Sequence, residues 1–151
     1  MSGVRRLTER LEAANLVFID ARVLAFHLMA APTYLDLTRS LFGGLNEGRI
    51  RGQVSALSFY QLFTEPYRAG RESKVRELSK ILTVHPGLQV LPVTPEVATQ
   101  AAQVRAQLGG GTERAIQIGS ALVGGADVFL SESSGLRRIV GTQVANLEDY
   151  L

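Results

Sequence analysis

Short apolar runs alternate along this chain with segments of helical periodicity, and that alternation constrains the fold more than any other feature. Each run is too short to form a helix of its own, so each predicts a buried strand. The runs cover residues 16–19, 53–57, 88–93, 128–130 and 144–147. Strands that alternate with helices at this spacing predict a three-layer α/β/α fold, in which helices cover both faces of a mostly parallel sheet of four or five strands.

Residues that start or stop helices place the helical segments. Thr94 is the predicted cap of a helix that runs to Leu108, and Thr112 the predicted cap of the next, which runs to about Val123. The glycines at 109–111 lack the lysine and the preceding strand of a phosphate-binding loop, so they are interpreted as a helix end. Pro66 is expected to end or kink a helix that Ser58 caps. The remaining predicted helices cover residues 1–15, as an extra N-terminal amphipathic helix, and 22–30, 33–45 and 72–82.

Composition limits the classes of protein that this chain can belong to. Its 151 residues, 46% of them hydrophobic, suit one globular domain over residues 1–151. The absence of cysteine excludes disulfides, a catalytic thiol and cysteine-ligated metals, and two histidines are too few for a dedicated transition-metal site. No apolar run approaches the roughly 20 residues of a membrane span, and the charged N-terminus is not a signal peptide. The expected location is therefore the cytoplasm, without membrane attachment.

Polar residues that follow the predicted strands are the first candidates for a functional site, because ligands of open α/β sheets bind beyond the carboxyl ends of the strands. Asp20 follows the first strand, and Ser131, Glu132 and Ser133 come at the end of the fourth. On pattern alone, Asp20 is better explained as a helix cap than as a ligand. His27 is interpreted as a packed helix residue and His85 as a loop residue.

Three segments in order resemble the signature regions of the PIN-domain family, especially the bacterial VapC-like toxins. They read FIDARVLAFHL, SALSFYQLFTEPYRAG and TERAIQIGSALVGGADVFLSESSGL, and the resemblance extends over residues 17–147. It implies a PIN-like α/β/α fold and the activity of a metal-dependent ribonuclease. In that family, three or four carboxylates at the strand ends hold Mg²⁺ or Mn²⁺, which activates a water molecule.

Carrying the acidic positions of the family over to this chain retains only one of four. The first matches Asp20, but the others fall on Gln61, Arg114 and Ser133. An amide or a hydroxyl supplies no negative charge, and Arg114 places a positive charge where the metal would lie. The resemblance therefore implies a site without a metal ion, in which Arg114 forms an ion pair with Asp20 and Arg22 is the alternative partner.

Neighbouring acids are the candidates for rescuing a metal site. Glu132 is the best placed, because a loop after a strand can re-aim its side chain. Glu65 lies one helical turn after Gln61, although Pro66 disturbs the geometry there. Glu113 is expected to face away from the pocket, because adjacent helical residues point about 100° apart.

The sequence is compatible with three functions. The leading one is a catalytically inactive PIN-like domain that needs no cofactor and binds either a protein, such as an antitoxin-like partner, or RNA without cutting it. The alternative is an active Mg²⁺- or Mn²⁺-dependent endoribonuclease toxin of the VapC type, neutralised by an antitoxin. The third is a structural homodimer whose surface is predicted to include Leu35, Leu41, Phe42 and Leu45.

Overall fold

Five parallel strands form the central sheet of this computed structural model, which describes residues 2–132 and 135–151. The order across the sheet is β3-β2-β1-β4-β5, so the first strand lies in the middle. Phe18 of β1 pairs with Gln53 of β2 on one side and with Phe129 of β4 on the other. The strands are β1 (Val17–Ile19), β2 (Gly52–Ser55), β3 (Leu88–Leu91), β4 (Val128–Ser131) and β5 (Gln143–Asn146).

Helices connect the strands and cover both faces, which confirms the predicted three-layer α/β/α architecture. At the C-terminus a short 3-10 helix follows β5 over Leu147–Tyr150. The α-helices of the described residues are α1 (Gly3–Ala13), α2 (Ala21–Leu28), α3 (Leu35–Asn46), α4 (Leu57–Arg68), α5 (Glu72–Val84), α6 (Pro95–Leu108) and α7 (Thr112–Val123). None of them is long and apolar enough to cross a membrane.

The two-residue period of the strands divides the core into two halves. Val17 and Ile19 of β1 point to the face covered by α1, α2, α3 and α5, whereas Phe18 points to the face covered by α6 and α7. Phe18 stacks on Phe129 of the next strand, with ring centroids 5.4 Å apart. Gly119 lets α7 approach α6 closely, because a Cβ there would lie 2.9 Å from the backbone of Ala101. The sheet is therefore buried on both sides, as parallel sheets are.

Helix starts show where local sequence rules succeed and fail. Thr94 caps α6 as predicted, its hydroxyl accepting a hydrogen bond from the Val97 N–H at 3.2 Å. Thr112 is not a cap: it is the first residue of α7, and its hydroxyl accepts from the Arg105 guanidinium. Nor does Ser58 cap α4, because the helix begins at Leu57, whose N–H bonds to the Ser55 hydroxyl instead.

Pro66 does not end α4, so the first of its two predicted effects, an end or a kink, is wrong. The helix continues to Arg68, and the Ala69 N–H still reaches the Glu65 carbonyl at 3.0 Å. A proline removes only its own N–H from the ladder, and in the last turn of a helix one missing bond is tolerated. This extension keeps Glu65 on the helix that carries Gln61.

Candidate functional site

Asp20 lies at the carboxyl end of the central strand, where it caps α2. Its Oδ1 accepts a hydrogen bond from the Ala21 N–H at 2.9 Å, and its own N–H donates to the Leu130 carbonyl. The pKa of the Asp20 carboxyl is raised to about 6, mainly because the group is buried, and the charge of Glu132 also raises it. The Ala21 N–H and the charges of Arg114 and Arg22 lower this pKa, but by less. Asp20 is thus a cap, as the pattern favoured, and its partly buried carboxyl group has a raised pKa.

The predicted ion pair between Asp20 and Arg114 does not form. No salt bridge joins them in the part of the chain that the structure describes, and Arg22 pairs with Glu132 instead, its Nε lying 2.8 Å from Glu132 Oε1. Arg114 is still close enough for its charge to lower the pKa of Asp20. The prediction was wrong in geometry: Arg114 acts on Asp20 only through its charge, and the Ala21 N–H is the hydrogen-bond donor to the carboxyl group.

Gln61 belongs to a chain of hydrogen bonds that links α4 to α7. Its Nε2 donates to Glu113 Oε2 at 2.9 Å, and its Oε1 accepts from Gln117 Nε2 at 2.7 Å. Gln117 also donates to the Ser58 hydroxyl at 3.1 Å, and its own Oε1 is buried without a hydrogen-bond partner among residues 2–132 and 135–151. The acceptor-only carboxylate of Glu113 sets the direction of this chain, because it forces the Gln61 amide to present its NH₂ group. Gln61 is therefore held in place through both ends of its amide.

An open cleft of about 320 Å³ lies over these residues. It is bounded by the start of α2, one side of α4 and the first turn of α7. Glu113 lines this cleft, so the expectation that it faces away was wrong: it is exposed to solvent and also accepts a hydrogen bond from Gln61. The lining residues are Ala21, Arg22, Ala25, Tyr60, Gln61, Leu62, Thr64, Glu65 and Glu113.

Comparison with known proteins places this geometry in a recognised fold. VapBC2 from Rickettsia felis, bound to a promoter DNA fragment, is 10% identical and superposes with a TM-score of 0.69 over 87% of this chain and 98% of that one. DNA-bound VapBC from Salmonella typhimurium is 18% identical, with a TM-score of 0.68 over 87% and 97%. The chain has a VapC-like PIN fold. VapC20 from Mycobacterium tuberculosis, a sarcin–ricin loop cleaving toxin, is 14% identical, with a TM-score of 0.60 over 75% and 86%.

The similarity to the VapC structures is detected when structures are compared and not when the sequence is compared with family models or curated proteins. No family model and no curated protein matches the sequence. The PIN fold nevertheless brings Asp20, Gln61 and Arg114 to one edge of the sheet: Arg114 acts on the charge of Asp20, and its neighbour Glu113 contacts Gln61. Ser133, the fourth position that the resemblance indicated, lies outside the described residues.

A metal ion of the kind that the PIN fold implies does not suit the residues at this edge. Over residues 2–132 and 135–151, no three aspartate, glutamate or histidine side chains lie together as a metal site requires. Glu65, a suggested substitute, has a 75% exposed side chain that pairs with Arg68. Glu132, the other, is only 15% exposed but is neutralised by Arg22. With two guanidinium groups nearby, the donor set lacks the negative charge that draws Mg²⁺ or Mn²⁺ out of water.

The sequence patterns did not predict Gln117 as a member of the site. Gln117 follows Glu113 by four residues, and that spacing on a helix face is the pattern that could have revealed it.

His27 stacks on Phe42 with ring centroids 3.9 Å apart and bonds through Nδ1 to the Thr38 hydroxyl. His85 packs edge-on against the same ring. Both histidines are half-buried, pack against Phe42 and do not line the cleft over Gln61.

Proposed function

We propose that this protein is a catalytically inactive PIN-like domain that acts by binding. The observation that carries the proposal is the electrostatic setting of Asp20. The positive charges of Arg114 and Arg22 act on it, and Gln61 is committed to hydrogen bonds with Glu113 and Gln117. In this proposal Asp20, Gln61, Arg114 and Ser133 are a degenerate metal site that needs no cofactor, and residues 1–151 act as one domain in the cytoplasm.

The proposed partner is an antitoxin-like protein, bound in a groove between α2, α4 and α5. The groove encloses about 430 Å³ and adjoins the cleft over Gln61. Its walls are mostly apolar, and Met29 at its edge is 78% exposed. Exposed apolar surface in a groove between helices is typical of a site for an amphipathic segment of another protein. The apolar wall residues are Ala25, Leu28, Met29, Leu62, Pro66, Ala69 and Leu78.

The solved relatives support this kind of partner. The Rickettsia felis and Salmonella typhimurium structures are VapBC complexes, and a toxin–antitoxin complex from Klebsiella pneumoniae superposes with a TM-score of 0.63 at 11% identity. An antitoxin-like reading frame next to the gene would supply the candidate partner for a binding experiment.

Met29→Glu should weaken that complex at least tenfold, because it places a charge against the apolar segment of the partner. Affinity is measured by calorimetry with the purified product of the adjacent reading frame. Val140→Glu is the matched control, since Val140 is 83% exposed and lies outside the groove. Equal affinities for Met29→Glu and Val140→Glu, or no complex with the unmodified protein, would contradict the proposal.

The two other candidate functions are an active nuclease and a structural homodimer. An active Mg²⁺- or Mn²⁺-dependent nuclease would have to rely on Asp20 and Glu132, the two acids that interact at the strand edge. A homodimer through α3 is poorly supported, because Leu41, Phe42 and Leu45 are no more than 4% exposed and pack into the core. The surface prediction was wrong for these three residues, since they pack into the core, whereas the fourth, Leu35, is half-buried.

A further inference from the structure

We propose that a second cleft, behind the first turn of α7, binds the phosphate group of a nucleotide. This inference goes beyond the proposed protein-binding function and does not depend on it. The cleft encloses about 300 Å³ between the end of α6, the start of α7 and residues 135–138. The first turn of α7 separates it from the cleft over Gln61, because Glu113 lines that cleft and Arg114 lines this one.

Three arginines line this second cleft, and two of them have no acidic partner. Arg137 pairs with Asp149 at 2.6 Å, but no salt bridge involves Arg114 or Arg138 among the residues that the structure describes. Unpaired guanidinium groups beside a cavity are suited to a phosphate, because their planar N–H donors match its oxygens in pairs. The positive charge gathered here exceeds what the internal contacts of the protein neutralise.

The back wall of the second cleft is apolar, which indicates more than a free anion. Leu108, which is 51% exposed, supplies accessible apolar surface, whereas Val104, Ile118 and Leu136 are buried beneath it. Such a wall can take the flat face of a base while the arginines hold the phosphate. The volume is at the lower end of the range for ligand pockets, so it suits a single nucleotide rather than a larger cofactor.

The rim of the second cleft leaves room for a phosphate to approach the backbone. Gly109 and Gly110 stand on it with φ angles of +70° and +78°, a left-handed conformation that favours glycine. A Cβ on Gly109 would meet nothing within 4 Å, so the space beside it is open. Gly109 and Gly110 thus follow the end of α6 and add no side chains to their part of the rim.

The test uses two probes that carry the same phosphate chemistry in different forms. Binding of 5′-AMP and of a five-residue oligouridine is measured by calorimetry with EDTA present, so that no metal takes part. We expect Arg114→Gln and Arg138→Gln each to weaken binding of at least one probe about tenfold or more, as loss of a charge-assisted phosphate contact does. Binding of 5′-AMP would identify a free nucleotide as the ligand, whereas binding of the oligouridine alone would identify an RNA chain.

Arg76→Gln is the matched control. Arg76 is exposed on α5, has no salt bridge among the described residues and lies outside the second cleft, so it removes the same charge elsewhere. Weakening by Arg76→Gln equal to that by Arg114→Gln would show unspecific attraction and overturn the proposal. So would the failure of both probes to bind, or an equally tight, Arg138-dependent complex with hexaglutamate, which would indicate an acidic peptide site.

Discussion

Replacing Asp20 by Asn should stabilise the protein by about 3 kcal/mol at pH 8, an unusual gain for one substitution. The reason is that burial raises the pKa of Asp20 to about 6, so ionising the group in the folded protein costs free energy that the unfolded chain does not spend. Asn keeps a side-chain oxygen that can accept the Ala21 N–H, so the cap of α2 is retained.

The pH dependence of this gain follows from linkage. Between about pH 4 and pH 6 the folded protein binds more protons at Asp20 than the unfolded chain does, so its stability falls as the pH rises through that range. The difference between Asp20→Asn and the unmodified protein should therefore vanish near pH 4 and reach its full size above pH 7. Urea unfolding at a series of pH values measures it. Asp36→Asn, at an exposed acid of α3, is the control and should show no such gain.

Restoring acids at two degenerate positions should create a site that responds to metal. In the double variant Gln61→Glu, Arg114→Asp, two new carboxylates join Asp20 and Glu132, and one guanidinium is removed. We expect millimolar Mn²⁺ to raise its melting temperature by about 5–10 °C, the effect of a ligand at about 100 times its dissociation constant on a domain of this size. The unmodified protein should shift by less than about 1 °C, because Mn²⁺ finds too little negative charge there.

A control for this restoration keeps the change in net charge but moves it elsewhere. The double variant Gln103→Glu, Arg76→Asp alters exposed residues of α6 and α5, and Mn²⁺ should leave its melting temperature unchanged. An equal rise in this control would show that Mn²⁺ acts through net charge alone. A large rise in the unmodified protein would show that its own residues already hold the metal.

The parts of the fold that local pattern determines could be predicted from the sequence. The strands were placed to within one or two residues, because a parallel sheet buried on both faces needs continuous apolar runs such as Val17–Ile19. Thr94 and the residues after it determine the start of α6 by themselves. These features depend on neighbours in the chain, which a single sequence displays.

The features that depend on tertiary packing were predicted less well. Leu41 and Phe42 were assigned to an exposed dimer surface, because one helix does not reveal which of its apolar residues the sheet covers. Glu113 was assigned to the wrong side of α7, since its position depends on a hydrogen bond to Gln61 on a distant helix. The pairing of Arg22 with Glu132 likewise depends on how two strand ends meet. The positions at the strand edge came from the family resemblance, whereas their contacts required the structure.

Cleavage of RNA in the presence of Mn²⁺ tests the central claim most directly. A labelled single-stranded RNA is incubated with the unmodified protein, with Asp20→Asn and with the restored variant Gln61→Glu, Arg114→Asp, each with Mn²⁺ and with EDTA. We predict that the unmodified protein and Asp20→Asn give the same background with Mn²⁺ as with EDTA. Mn²⁺-dependent cleavage by the unmodified protein that Asp20→Asn abolishes would contradict the account and identify an active metal-dependent nuclease.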